Sequence, residues 1–354
     1  MVLGGNGRGG SESQARILAR GLRDAGHHVD FVIVEGGGPG DFSEVSPTYL
    51  LQSRPGRLAA PVAYARAFWR LRRRLRRGRY DAVHAIMARA YLLAPLACLG
   101  LSPKPVVLAW RRNEGAHLSG RLSMWVERLA ARLCTVIACN SSSTKEYWDA
   151  HSVVASQPTR VIYNALEPVR FERCDPALPR TTPRIVSVGG LKPVKNHALL
   201  VRAIGRLPAE SRPQLVLVGD GECGTDLTQL AKESAVDLIL AGHQDDPRPW
   251  LAASDLYVQP SLSEGLSNAL LEAMAQGLPV VATDVGGTRE ALGDTGEIVP
   301  SGDLRVLTES IERCLGDTSH AERLGAAARA RVAERFAVGA VVQAHVDLYR
   351  GAAG

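Results

Sequence analysis

The sequence predicts an α/β protein of two domains, each a parallel sheet flanked by helices. Three observations predict it. Apolar strand-like runs alternate with helical patterns through both halves of the 354 residues, which is how parallel sheets are built. A glycine-rich turn follows the first strand of each half, at Gly4–Gly10 and at Gly189–Gly190, where sheets of this class bind ligands. Between the halves, Pro168, Pro176, Pro179 and Pro183 fall among few apolar residues and read as a linker. The expected division is 1–168, a linker over 169–183, 184–337, and a C-terminal helix over 338–354. The length suffices for two domains, each with its own core.

Composition excludes several classes. Hydrophobic content of 45% and charged content of 22% are those of an ordinary globular protein. Six cysteines lie scattered without a Cys-x-x-Cys pair, and nine histidines without a His-x-x-x-His pair. They predict reduced thiols and no metal site. Without a targeting segment or an apolar run of spanning length, a cytoplasmic protein is expected. The net charge is +6, but Val45–Tyr80 holds ten Arg and no Asp, Glu or Lys. The basicity is therefore one local patch.

In chain order, Met1–Leu3 reads as the tail of a first strand, with the rest expected upstream. Gly4–Gly10 follows as a flexible loop. Ser11 and Gln14 have capping-box spacing and open a helix with Ala15, Leu18 and Leu22 on its apolar face. Gly26 ends it, and Val29–Val34 is the second strand. A dinucleotide fold would need an acid at the end of that strand, and only Glu35 offers one. Gly36–Pro55 reads as loop. A basic helix comes next, with Tyr64, Phe68, Leu71 and Leu75 along one face and eight Arg between Arg66 and Arg79. It reads either as an interfacial helix for an anionic membrane or as a solvated basic face. Nucleic acid is not expected, because no aromatic interleaving or binding motif accompanies it. Strands are expected at Tyr80–Ile86, Val106–Ala109 and Thr135–Asn140, with an amphipathic helix over Leu122–Leu133. In the second half they fall at Arg184–Gly189, Gln214–Val218, Leu238–Leu240, Leu256–Gln259 and Pro279–Ala282. A final helix spans about Val338–Tyr349.

The stretch Ser261–Thr283, SLSEGLSNALLEAMAQGLPVVAT, carries the chemistry. Ser267 is a helix N-cap, Leu270, Ala273 and Met274 form an apolar stripe, and Gly277 stops the helix. The carboxylates Glu264 and Glu272 fall outside that packing. Between them, the amides of Gly265, Leu266 and Ser267 open a helix N-terminus, a ready anion site.

Glu264 and Glu272 have the Glu-x7-Glu spacing of the retaining nucleotide-sugar glycosyltransferases of family 4, and EGLSNALLEAMAQGLPVVAT resembles that family's signature. The resemblance implies the GT-B fold, two Rossmann-like domains facing across a cleft, with no resident cofactor or metal. It implies that Lys195 pairs with the donor diphosphate, Glu272 holds the ribose hydroxyls and Glu264 contacts the transferred sugar. Gly9 and Gly10 match the loop that approaches diphosphate and acceptor. Gly189, Gly190, Lys192 and Gly221 line the phosphate side, while Ala241, Gly242 and His243 frame the base. Two departures stand out. Gly190 occupies a position where the family usually has Arg, with Lys192 as a substitute cation. Where many relatives carry a His after the third core strand, this chain has Arg111-Arg112-Asn113, so Arg112 and Asn113 become acceptor-side candidates.

A metal-free transfer needs cations and amides on the departing diphosphate. By the resemblance, the leaving phosphate itself deprotonates the acceptor, and no separate base is required. The expected function is retaining transfer from a nucleoside diphosphate sugar to a glycan, lipid-linked or natural-product acceptor. A UDP-sugar such as UDP-N-acetylglucosamine is favoured. Alternatives are a GDP-mannose-dependent enzyme, a UDP-sugar 2-epimerase and a non-catalytic nucleotide-sugar-binding protein.

Overall fold

A computed structural model describes every residue except 8, 39–41, 57, 113–127, 151–156, 180–181 and 353–354. The chain forms two units, Met1–Ala165 with Val338–Gly354, and Leu166–Ala337. The proline-rich stretch is thus part of unit 2, beginning with a 3-10 turn over Pro168–Phe171. Among the described residues no helix is long and apolar enough to cross a membrane.

Unit 1 is a parallel sheet in the order β3-β2-β1-β4-β5-β6-β7. Its strands are β1 (Val2–Gly5), β2 (Val32–Glu35), β3 (Thr48–Leu51), β4 (Ala82–Ile86), β5 (Val106–Arg111), β6 (Val136–Cys139) and β7 (Thr159–Val161). Helices α1 (Gly10–Asp24), α2 (Ala60–Gly78), α3 (Ala88–Cys98) and α4 (Ser142–Ala150) connect them. Because helices cover both faces, the central strands are mostly apolar, and every residue of β5, its terminal Arg111 included, is buried. Leu18 and Leu22 of α1 pack on one face beside the C-terminal helix, Val338–Gly351. Gly21 permits that approach, since a Cβ there would sit 2.5 Å from Val342.

Several expectations are corrected here. Gly4 and Gly5 belong to β1, and Gly10 is already helical, so the glycine loop is shorter than its sequence suggests. The capping box does not form: the N-cap is Gly9, without a side-chain bond. Gln14 instead exchanges two hydrogen bonds with the backbone of Ala165, at 2.7 and 2.8 Å. The stretch read as loop contains β3, and α3 was not foreseen. Of the helix expected at Leu122–Leu133, residues 122–127 lie outside the described residues.

Unit 2 repeats the topology in the order β10-β9-β8-β11-β12-β13, again parallel. The strands are β8 (Arg184–Val188), β9 (Gln214–Val218), β10 (Leu238–Gly242), β11 (Leu256–Gln259), β12 (Val280–Thr283) and β13 (Glu297–Val299). The helices are α5 (His197–Gly205), α6 (Gly224–Glu233), α7 (Arg248–Ala252), α8 (Asn268–Ala275), α9 (Thr288–Leu292), α10 (Leu304–Gly316) and α11 (Thr318–Arg335). In both sheets the order reverses beside the first strand, between β1 and β4 and between β8 and β11. Loops at the carboxyl ends there part to opposite sides and leave a crevice.

Candidate functional site

In unit 2 the candidate residues converge on that crevice. The loop after β8 closes with a 3-10 turn, Pro193–Lys195, and Asn196 turns into α5 from the left-handed region. Proline suits the first position of such a turn, because its missing N–H has no partner to lose. The turn aims Lys195 at the loop after β11. There its Nζ lies 2.5 Å from Glu264 Oε1, which also accepts from Ser261 Oγ at 2.7 Å. A backbone bond ties the two loops together: Leu262 N–H donates to Val194 O at 2.8 Å. The Thr283 hydroxyl, at the end of β12, donates to Ser261 O at 2.6 Å and holds the second loop to the sheet. On the far side Gly287 N–H donates to Gly265 O at 2.7 Å. Gly286 is obligatory here: its φ is +54°, and a Cβ would fall 2.0 Å from Glu264 O.

Ser267 caps α8 as its sequence predicts, accepting from Leu270 N–H at 3.3 Å, and Gly277 stops the helix at φ +76°. Glu272 projects from the second turn toward Arg170, whose Nε is 3.6 Å away. Only 16% of its side chain remains exposed. Lost hydration pushes its carboxyl from 4.5 up to about 7, against the opposing pull of Arg170. Tyr257 lies under both acids, and burial and their fields hold its phenol well above its ordinary value. Arg170, Ser261 and Tyr257 escaped sequence reasoning. Arg170 sits in the stretch read as linker, whose turn is fixed to α8 by Gln276 and to α11 by Arg329.

The remaining unit 2 candidates surround this centre. A Cβ on Gly219 would meet Gly189 O at 2.1 Å, so these two turns pack backbone to backbone. Gly221 is similarly constrained by Leu191 O at 2.3 Å. Gly190 is not. A Cβ there would have only ordinary contacts, at 3.5 Å to Asp220 O and 3.7 Å to Lys192 Cε. The Lys192 side chain therefore runs alongside the space that a side chain at 190 would enter. Ala241 and Gly242 end β10 rather than following it, and Gly242 bridges Gly219. His243 is turned to Asp245, 3.1 Å away.

In unit 1, Gly9 and Gly10 stand at the start of α1, where the Glu12 carboxylate folds back against Gly7 and Gly9. Glu35, the acid a dinucleotide site would need, is engaged by Arg89 at 2.9 Å and by the Tyr64 hydroxyl. Arg112 stacks over Trp110 at 4.7 Å, and burial lowers its pKa to about 10. Its Nε and Nη1 are enclosed without a hydrogen-bond partner among the described residues. Asn113 and the rest of that loop lie outside the described residues. Among the described residues, ligand-type atoms of Glu297, Cys314 and His320 lie within 4.8 Å of one another. Arg313 already holds both Glu297 oxygens, at 2.7 and 3.0 Å, and β13 begins at Glu297, so the group sits at the strand end away from Lys195.

Comparison with known proteins agrees with this geometry. The family model for glycosyl transferases group 1 matches residues 182–317, and that for glycosyltransferase family 4 matches residues 8–170. The lipopolysaccharide core biosynthesis glycosyltransferase LpsE of Rhizobium meliloti is 32% identical over 259 residues, 69% of this chain and 75% of that protein. The UDP-Gal:alpha-D-GlcNAc-diphosphoundecaprenol alpha-1,3-galactosyltransferase of Escherichia coli is 27% identical over 60% of each chain. Anabaena HepE, solved with UDP and glucose, superposes with a TM-score of 0.81 over 99% of each chain at 19% identity, a likeness of fold. The fold is GT-B, and the chain belongs to family 4 of the glycosyltransferases.

Proposed function

We propose that this chain transfers a sugar, with retention and without a metal, from a nucleoside diphosphate donor to a glycan or lipid-linked acceptor. A UDP-sugar such as UDP-N-acetylglucosamine is the favoured donor. The observation that carries the reading is the Lys195–Glu264 pair at the crevice of unit 2, held by two loops that are bonded to each other.

In the free protein each partner occupies the other's ligand position. Donor binding exchanges partners: the Lys195 ammonium moves to the diphosphate, and Glu264 is released to accept from hydroxyls of the transferred sugar. The amides of Gly265 to Ser267 and the Lys192 ammonium add to the positive field on the leaving group. Glu272, dehydrated, with Arg170 at 3.6 Å as its ion-pair partner, accepts from the ribose hydroxyls. Gly189, Gly190 and Gly221 bring backbone close to the phosphates, and Ala241 to His243 bound the base. Arg112 and Asn113, with Gly9 and Gly10, serve the acceptor. The chemical names of LpsE and of the galactosyltransferase favour a glycan or a lipid-linked glycan over a small acceptor. Such an acceptor places the reaction at the cytoplasmic face of a membrane, with the enzyme bound peripherally.

A thermal-shift screen of nucleoside diphosphates tests the donor side, since a ligand of the folded state raises the melting temperature. UDP should raise it most, and Lys195→Ala should remove the shift. Transfer from a radiolabelled donor tests the chemistry. Binding without release of nucleoside diphosphate, whatever acceptor is supplied, would leave a binding protein instead.

A further inference from the structure

Helix α2 sorts its arginines by direction. Its inner face, Tyr64, Ala67, Phe68, Leu71 and Leu75, packs on the sheet. Three flanking arginines turn back onto unit 1. Arg70 donates to Leu50 O at 2.9 Å, Arg72 to Leu99 O at 2.6 Å, and Arg74 pairs with Asp30 at 2.9 Å. At 100° per residue, Val62, Arg66, Trp69, Arg73, Arg76 and Arg77 fall on one outward crest. None of those four guanidinium groups has a hydrogen bond or ion pair among the described residues. On the same crest Trp69 is 65% exposed and Val62 56%.

A merely solvated basic face would look different. Surface helices elsewhere in this chain intersperse acids, as in the Arg305–Glu309 pair of α10. The crest of α2 has no acid to neutralise it, and it exposes a tryptophan between unpaired guanidinium groups. Phosphate oxygens satisfy such groups in pairs, and the indole belongs at the boundary between headgroups and acyl chains. At the foot of the helix, a cavity of about 450 Å³ lined by Arg72, Arg76, Arg79 and Tyr80 adds room for a phosphate.

We propose that the outward crest of α2 docks unit 1 on an anionic lipid bilayer, with Trp69 and Val62 entering the interface and Arg66, Arg73, Arg76 and Arg77 engaging lipid phosphates. The direction of the helix gives this docking a use, which rests on the lipid-linked acceptor proposed above. Helix α2 connects parallel strands and so runs against them. Its first half, which carries Val62 and Trp69 and follows the exposed Leu58, lies toward the carboxyl ends of the strands. Gly9, Gly10 and Arg112 are at that same edge. Docking through the apolar half therefore brings the acceptor-side edge of unit 1 to the bilayer.

Co-sedimentation of the full chain with phosphatidylcholine vesicles, with and without equimolar phosphatidylglycerol, tests this. Binding is expected to the anionic vesicles only, weakening with salt. Combined R73E, R76E and R77E should lower it at least ~100-fold. Trp69→Ala should lower it ~10-fold, and the blue shift of Trp69 emission on binding should vanish. The melting temperature and UDP shift of these variants should match the unaltered chain, since the altered side chains are exposed and lie outside the core. Equal binding to neutral vesicles, retention by the triple variant, or displacement from vesicles by duplex RNA each overturns docking. A UDP shift without vesicle binding rejects docking and keeps the transfer reading; vesicle binding without a UDP shift does the reverse.

Discussion

In unit 1 the loop after the first strand closes over the unit's own carboxylate, Glu12, and the acid at the end of β2, Glu35, is held by Arg89 and Tyr64. In unit 2 the equivalent loop carries a lysine, and the acid it meets comes from the loop after β11, directly across the reversal of strand order. The two sheets share one topology, yet among the described residues only the second has an ion pair joining the loops that flank its crevice. The pair in unit 1 ties neighbouring elements together and acts on stability. The pair in unit 2 joins the loops after β8 and β11, and in the proposed function the donor diphosphate opens it. Fold alone does not distinguish these cases; the strands that supply the charges do.

The strongest way to break this contrast is Lys195→Ala. If the lysine serves a developing diphosphate charge, kcat/KM should fall by roughly 10²–10³-fold, while the urea midpoint of the free protein hardly moves. A large loss of stability with activity retained would make Lys195 structural, like Arg89.

Glu272 offers a test in which stability and function move in opposite directions. Its carboxyl is raised from 4.5 to about 7 by lost hydration. Between those values the folded chain holds a proton that the unfolded chain releases, so this group lowers stability as pH rises through that window. The loss is complete above about pH 7 and amounts to at most about 3 kcal/mol. Glu272→Gln should therefore raise the urea midpoint at pH 8, leave it unchanged near pH 4, and weaken UDP binding at least ~10-fold through the lost ribose contact. A midpoint gain independent of pH would remove the carboxylate from this account.

For unit 1 the converse holds. Glu35→Ala leaves Arg89 and Tyr64 without their shared acceptor and should destabilise the protein by about 2 kcal/mol in urea denaturation. The UDP-induced thermal shift should persist. Loss of that shift with stability intact would place Glu35 in a nucleotide site after all.

The difference between the units also marks what the sequence could show. The inner strands were legible: β9 and β11 fall at the apolar runs Gln214–Val218 and Leu256–Gln259. Sheet edges were not. In β3 only Leu50 is fully buried, and β13 has three residues, so neither makes a continuous apolar run. Pro95 inside α3 disguised that helix. Lys195, Glu264 and Glu272 were visible because their spacing lies within two local motifs. Arg170 was not, since its approach to Glu272 depends on a turn packed against α8 from a hundred residues away. The Ser11–Gln14 capping box failed for a related reason. Gln14 finds two backbone partners at Ala165, which outcompete a single local bond.

The smallest expected effect examines how unit 2 manages without an arginine at Gly190. That glycine is not required by its backbone, and a side chain there would enter space bordered by Lys192. The Lys192 ammonium has no hydrogen bond or ion pair among the described residues, so it is available to the same phosphates. If it substitutes for the missing guanidinium, Lys192→Ala should weaken UDP binding ~10-fold, the value of one charge-assisted contact at a partly exposed site. Gly190→Arg should then restore binding in the Lys192→Ala background. In the unaltered chain, where both cations would compete for one space, it should add little. Equal gains in both backgrounds would mean that the two cations act independently, and that Lys192 does not stand in for the arginine.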